Sequence, residues 1–107
     1  MNLKKDFKWV ASGKKFETKF TKIFIRIGEN NTPRIAIATA KANFKNASQR
    51  NRARRVTSTT LQDLYDKLPG DINIIALPKV GILEVKSTEV LKDLEEILKR
   101  EKVIQKL

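Results

Sequence analysis

KANFKNASQRNRARR, residues Lys41 to Arg55, is the stretch on which the reading of this chain turns. It carries six positive charges (Lys41, Lys45, Arg50, Arg52, Arg54 and Arg55) and no acid. It lies inside a longer acid-free run from Asn30 to Gln62. Asn and Arg are interleaved through its centre, in the order Asn46, Arg50, Asn51, Arg52. A guanidinium presents a planar fork of donors that matches phosphate, and the Asn amide adds a short neutral donor–acceptor pair. A polyanion of fixed shape suits such a surface, and nucleic acid is the commonest one.

The charge of the whole chain is placed to the same effect. Residues 1–62 hold 15 Lys or Arg against three acids (Asp6, Glu17, Glu29), whereas residues 63–107 hold eight against nine. The net charge of +11 therefore comes from the first part of the chain, which argues for a binding face rather than for general solubility.

At 107 residues, with 40% hydrophobic residues, the sequence suggests a single domain over residues 1–107. There is no cysteine and no histidine, so disulfides, thiolate metal sites and Ser-His or Cys-His catalysis are excluded. No apolar run reaches the ~20 residues of a membrane span, and MNLKKDFKWV has no apolar stretch of signal-peptide length. The expectation is a cytoplasmic protein with no membrane partner.

Outward from the basic stretch, periodicity gives the elements. Asp6 to Ser12 reads as one or two helical turns stopped by Gly13. Lys14 to Ile27 alternates as a strand, with a bend or break near Lys19 dividing it into two. Gly28 to Pro33 is a turn and Arg34 to Ala40 a further strand. Phe44 to Leu68 reads as a helix whose first half is polar and whose second half is anchored by Ala53, Val56, Leu61, Leu64 and Leu68. The run Thr57 to Thr60 weakens that helix. Pro69 and Gly70 end it, Asp71 to Leu77 is a buried strand, and Pro78 to Val85 is a loop with an extended part. A last helix is expected to be capped by Ser87 or Thr88, with Glu89 in its first turn and the stripe Val90, Leu91, Leu94, Ile97, Leu98. The economical architecture is α+β, one sheet covered by helices.

The basic stretch resembles the bacterial ribonuclease P protein subunit. That family has a strand ending in a basic residue, a short loop, and then Asn-Ala-x-x-Arg-Asn-x-x-Lys/Arg-Arg opening a helix. Here Lys41 is followed by Asn46-Ala47-Ser48-Gln49-Arg50-Asn51-Arg52-Ala53-Arg54-Arg55. Arg34-Ile35-Ala36-Ile37 is similar to the strand before the motif, and Asp71 to Ala76 with Pro78 to the strand after it. Asp6-Phe7-x-x-Val10 before Gly13 is similar to the family's first helix, so the resemblance covers residues 6–100. The loop between Lys41 and Asn46 is about one residue longer than the family's, the basic leader Asn2 to Lys5 is short, Val56 to Thr60 is less apolar and basic, and Ala11 stands where an aromatic often follows Val10.

The resemblance implies a four-stranded mixed sheet with three helices, in the order αβββαβα, with a left-handed βαβ crossover as in related ribosomal-protein-like folds. It implies a cofactor for a catalytic RNA that removes the 5′ leader of precursor tRNA with the help of Mg2+. Such a subunit binds that RNA through the motif helix and the leader in a cleft between sheet and helices, working as a monomer bound to RNA. The protein itself then supplies no catalytic residue.

Residue by residue, Arg50, Asn51, Arg54 and Arg55 are the expected centre of the RNA face. Arg50 and Arg54 are one helical turn apart, as are Asn51 and Arg55, so two adjacent ridges present donors. Arg52, Lys41 and Lys45 add charge, against a plain reading as solvated surface. Asn46 stands where a helix cap is needed and serves as cap or contact. Phe7, Phe16 and Phe20 are candidates for stacking leader bases, against a reading as core. Trp9 is turned away from Phe7 by helical spacing, and Lys8, Lys14 and Lys15 are phosphate contacts or plain surface. Two other functions stand beside this one: a general RNA-binding or ribosomal protein of related fold, and a protein-only nuclease drawing on Asp63, Asp66 and Asp71.

Overall fold

The computed structural model describes residues 3–40 and 43–103, with side chains from Lys5 onward. The order is α1 (Leu3–Ala11), β1 (Lys14–Glu17), β2 (Thr21–Ile27), β3 (Arg34–Ile37), α2 (Ala47–Leu64), β4 (Ile72–Pro78) and α3 (Ser87–Arg100). Single 3-10 turns follow α2 at Tyr65–Lys67 and precede α3 at Val80–Glu84. The second of these replaces the extended loop expected there.

The four strands form one sheet in the order β1-β2-β4-β3. β1 and β2 are antiparallel, as are β2 and β4, while β3 runs parallel to β4. The mixed sheet thus arises because α2 carries the chain from β3 back to its neighbour β4. The expected break near Lys19 is a tight turn held by threonines. The Thr18 amide donates to the Thr21 carbonyl (2.8 Å), and the Thr21 amide donates to Thr18 Oγ1 (3.0 Å). At the other end of β2, the turn into β3 is fastened to β4, because Asn30 Nδ2 donates to the carbonyls of Gly70 and Ile72 (both 3.1 Å).

Strand register assigns side chains to faces. One face carries Ile23, Ile25, Ile72, Ile74 and Ala76, and α2 and α3 pack on it through Ala53, Leu61, Leu64, Val90, Leu94, Ile97 and Leu98. This is the main core. The opposite face carries Phe24 and Ile75 and is covered by α1, which packs on β2 and β4. There Val10 and Ile75 are fully buried, and the Phe7 ring meets Phe24 edge-on at 6.0 Å. Gly13 is required where α1 turns into β1, because a Cβ there would collide with the Ile25 carbonyl.

Two helix ends differ from expectation. α2 begins at Ala47 rather than at Phe44, since Phe44 leaves the helical path to enter the core. α3 is not capped by Ser87 or Thr88: Lys86, in extended conformation, holds the capping position with no side-chain cap, and its carbonyl accepts the Glu89 amide at 3.0 Å. The Thr57–Thr60 run is helical, and its buried hydroxyls are satisfied there, because Thr57 Oγ1 and Thr60 Oγ1 donate to the Ala53 and Val56 carbonyls (2.8 and 2.9 Å).

Candidate nucleic-acid interface

The start of α2 is fixed by three devices that the local sequence supplies. Phe44 is fully buried among the side chains of the main core. Asn46 caps the helix, its Oδ1 accepting from the Gln49 amide and from Ser48 Oγ, each at 2.9 Å. The Arg50 guanidinium turns back to donate to the Phe44 carbonyl at 2.9 Å. The first turns of α2, too polar to bind the core themselves, are thereby held in place by the residues before and within them.

The two expected ridges are present but unequal. Arg50 is half-buried on the Phe44 carbonyl, and Arg54 reaches Thr39 Oγ1 at 3.2 Å, so this ridge braces α2 against the end of β3. Asn51 and Arg55 are exposed, and their side chains make no hydrogen bond or ion pair with another described residue. Arg52 is exposed as well, and at about 100° per residue it falls beyond Arg55, away from the Arg50–Arg54 ridge. Lys45 is exposed just before the cap. Lys41 lies outside the described residues. An open basin of about 520 Å3, lined by Ser48, Asn51, Arg54, Arg55 and Ser58, marks the outer ridge and contains no acid.

Carboxylates are engaged elsewhere. Glu17 pairs with Lys79 at 2.7 Å, and Glu95 with Lys99 at 3.0 Å and Lys67 at 3.4 Å. The Lys79 hydrogen bond and charge hold the Glu17 carboxyl below its ordinary pKa, and hydrogen bonds from Lys99 and Lys67 do the same for Glu95. No cation between Lys45 and Arg55 has such a partner among the described residues. Asp63 and Asp66 are exposed, and no three His, Cys, Asp or Glu side chains gather into a metal site among the described residues.

The three phenylalanines do not form one surface. Phe16 faces Ile23 across the β1–β2 ladder and, with Phe20, packs against the main core. Phe7 stands on the opposite face with Phe24. The alternation of a strand shows which residues share a face but not which helix covers that face, so the sequence does not separate Phe7 from Phe16 and Phe20 as the structure does.

Two features had weak sequence signals. Trp9, half exposed, stacks under the Arg26 guanidinium at 4.7 Å, and Arg26 also donates to the Trp9 carbonyl (3.0 Å) and to Ser12 Oγ. A groove of about 460 Å3 runs between β3 and α2, with Ile35, Ile37 and Leu61 below and Arg54, Gln62 and Tyr65 at its sides. Its parts are distant in sequence, and only the rarity of Tyr65, the one tyrosine, could have drawn attention to it.

The family model for ribonuclease P matches residues 1–102. The chain belongs to this family. The ribonuclease P protein component of Cronobacter sakazakii is 31% identical over 75 residues, covering 70% of this chain and 62% of that protein, so the aligned part spans less than two thirds of the curated relative. Two solved ribonuclease P proteins share the fold. That of Thermotoga maritima superimposes with a TM-score of 0.82 at 20% identity, over 94% of each chain. That of Staphylococcus aureus gives 0.82 at 19% identity, over 98% of this chain and 96% of its own. Like the expected architecture, the ribonuclease P fold here is a four-stranded mixed sheet with three helices. None of the described helices is long and apolar enough to cross a membrane.

Proposed function

We propose that this ribonuclease P family protein is the protein subunit of the holoenzyme, binding the catalytic RNA and the 5′ leader of precursor tRNA so that the leader is removed endonucleolytically. The observation that carries the reading is the α2 face: motif residues with the family spacing, set at a capped helix start, with cations that no carboxylate among the described residues neutralises. Asn51, Arg52, Arg55 and Lys45 present charge to RNA phosphates, and Lys41 adds to them in sequence. Arg54 shares itself between Thr39 and the RNA, Arg50 sets the angle of the helix, and Asn46 caps it. Phe7, which meets Phe24 on the α1 side of the sheet, is the candidate to stack on a leader base, and Trp9 of α1 under the Arg26 guanidinium of β2 is a second aromatic on that helix.

In this reading RNA and Mg2+ carry the cleavage step, and the protein binds, orients and lowers charge repulsion between two RNAs. It works as a single domain, one copy per RNA, in the cytoplasm. The test is stimulation of precursor-tRNA cleavage by a bacterial ribonuclease P RNA at low Mg2+. Strong stimulation is expected, and its absence across a range of salt and Mg2+ would overturn the assignment. Firm association with ribosomal particles together with indifference to the catalytic RNA would favour a general RNA-binding or ribosomal role.

A further inference from the structure

We infer that the groove between β3 and α2 is a pocket for one unpaired nucleobase of the bound RNA, stacked on Tyr65 with its backbone on Arg54 and Arg55. The inference rests on the RNA-binding reading above and adds to it a subsite outside the phosphate-binding ridge.

The groove has the size and make-up of a small-ligand site. Its volume of about 460 Å3 falls within the ~300–1,000 Å3 of such pockets. The floor of Ile35, Ile37 and Leu61 is apolar and suits the face of a planar ring. Tyr65 stands at one wall, 39% exposed, and its hydroxyl makes no hydrogen bond to another described residue. A buried tyrosine hydroxyl normally finds a partner, so an exposed, unbonded ring beside an apolar floor is free to stack. Gln62 and Ser58 provide amide and hydroxyl groups for a base edge.

Continuity with the basic basin decides the occupant. Arg54 and Ser58 line both the groove and the basin that holds Asn51 and Arg55. A strand of RNA whose phosphates lie along the outer ridge therefore has a base within reach of Tyr65. No acid lines either concavity. An extended peptide added to the edge of β3 is the competing occupant. The edge is poorly suited to it, being four residues long, preceded by Pro33 and opened by the exposed Arg34.

The test uses the full chain grown with 3-fluorotyrosine, which gives one fluorine resonance because Tyr65 is the sole tyrosine. Titration with a bacterial ribonuclease P RNA transcript should move that resonance to saturation in step with binding measured by gel shift. Tyr65→Leu should weaken binding between about 5-fold and 100-fold, the worth of one stacked base, and Tyr65→Phe should restore it. The salt slope of Tyr65→Leu should equal that of the parent, because no phosphate contact is lost. A resonance unmoved at saturating RNA overturns the proposal, as does equal loss in the Leu and Phe variants. Movement only with a synthetic extended peptide assigns the groove to a protein partner instead. Failure of the unsubstituted protein to bind the transcript at all sinks the RNA-binding reading itself, and is seen separately in the gel shift.

Discussion

α2 and α3 lie side by side on the same face of the sheet, and both are rich in charge, yet they use charge in opposite ways. In α3 Glu95 accepts from Lys99 one turn on, within the helix, and from Lys67 in the turn that follows α2. The apolar stripe of Val90, Leu94, Ile97 and Leu98 anchors that helix along its length. In the first half of α2 only Ala53 is buried, and among the described residues no acid pairs with the arginines. A helix anchored along its length by an apolar stripe can leave its charge to be met by carboxylate–lysine pairs within the protein. A helix whose charge is left over must be held by something else and is available to a polyanion.

The largest effect is expected at Phe44, since what holds the basic half of α2 is mainly this ring. Phe44→Ala should lower stability by ~3–5 kcal/mol, as for other large-to-small changes in a packed core. Urea unfolding measures it. RNA affinity should fall with it even at temperatures where the fold survives, because the Arg50 clasp on the Phe44 carbonyl loses its fixed partner. Leu98→Ala in α3, equally buried, should lower stability without a separate loss of affinity in the folded protein. Equal behaviour of the two variants would erase the distinction between a helix held for itself and one held for a partner.

Next comes the charge itself. Arg55 is exposed and unpaired among the described residues, and Lys92 is an exposed cation of α3. Arg55→Ala should weaken RNA binding by ~1.5–3 kcal/mol, the range for a charged hydrogen bond, and flatten the salt dependence by ~0.7–0.9 log units per log unit of salt. Lys92→Ala should change neither. Arg55 is a sharper probe than Arg50, whose substitution would also free the Phe44 carbonyl.

Much of this contrast was legible in the sequence. The stripe of α3, the motif spacing, the break at Lys19 and the capping role of Asn46 all follow from local rules, and local rules act over a few residues. The misreadings share a cause in long-range packing. Phe44 is one apolar residue in a run of polar ones, so periodicity gave it to the helix, while the core claimed it. Strand alternation likewise cannot tell which face the larger helices cover, and so does not show that Phe16 and Phe20 pack toward the main core while Phe7 stands on the other face. The half-engagement of Arg50 and Arg54, and the groove at Tyr65, depend on where β3 ends relative to α2, which no window along the chain contains.

Asn46 separates two roles that one residue could hold. Asn46→Ala should cost about 1 kcal/mol by loss of the cap on the Gln49 amide. Asn46→Asp keeps an equally good cap and adds a favourable charge at the positive end of the helix, so thermal unfolding should be unchanged or slightly higher. The new carboxylate would nonetheless stand beside Arg50 and Lys45 in sequence, and RNA affinity should drop. If Asn46→Asp binds RNA as well as the parent protein, the free charge at the helix start has no part in binding.

The smallest effect is expected on the paired side of the comparison. The Glu95 carboxyl is held below its ordinary pKa by hydrogen bonds from Lys99 and Lys67. A carboxylate with a folded pKa lower than its unfolded one adds stability that is present above the unfolded pKa and is lost as pH falls through the folded one. Glu95→Gln should therefore lower stability slightly at neutral pH and make the acid side of the stability curve shallower, with no change once both forms are protonated. Because the groups are on the surface, added salt should shrink the difference. RNA affinity should stay as it was, for these charges are already satisfied within the protein. A matching loss of RNA binding in Glu95→Gln would mean that α3 contributes to the interface and that neutralised and free charge are not divided between the two helices.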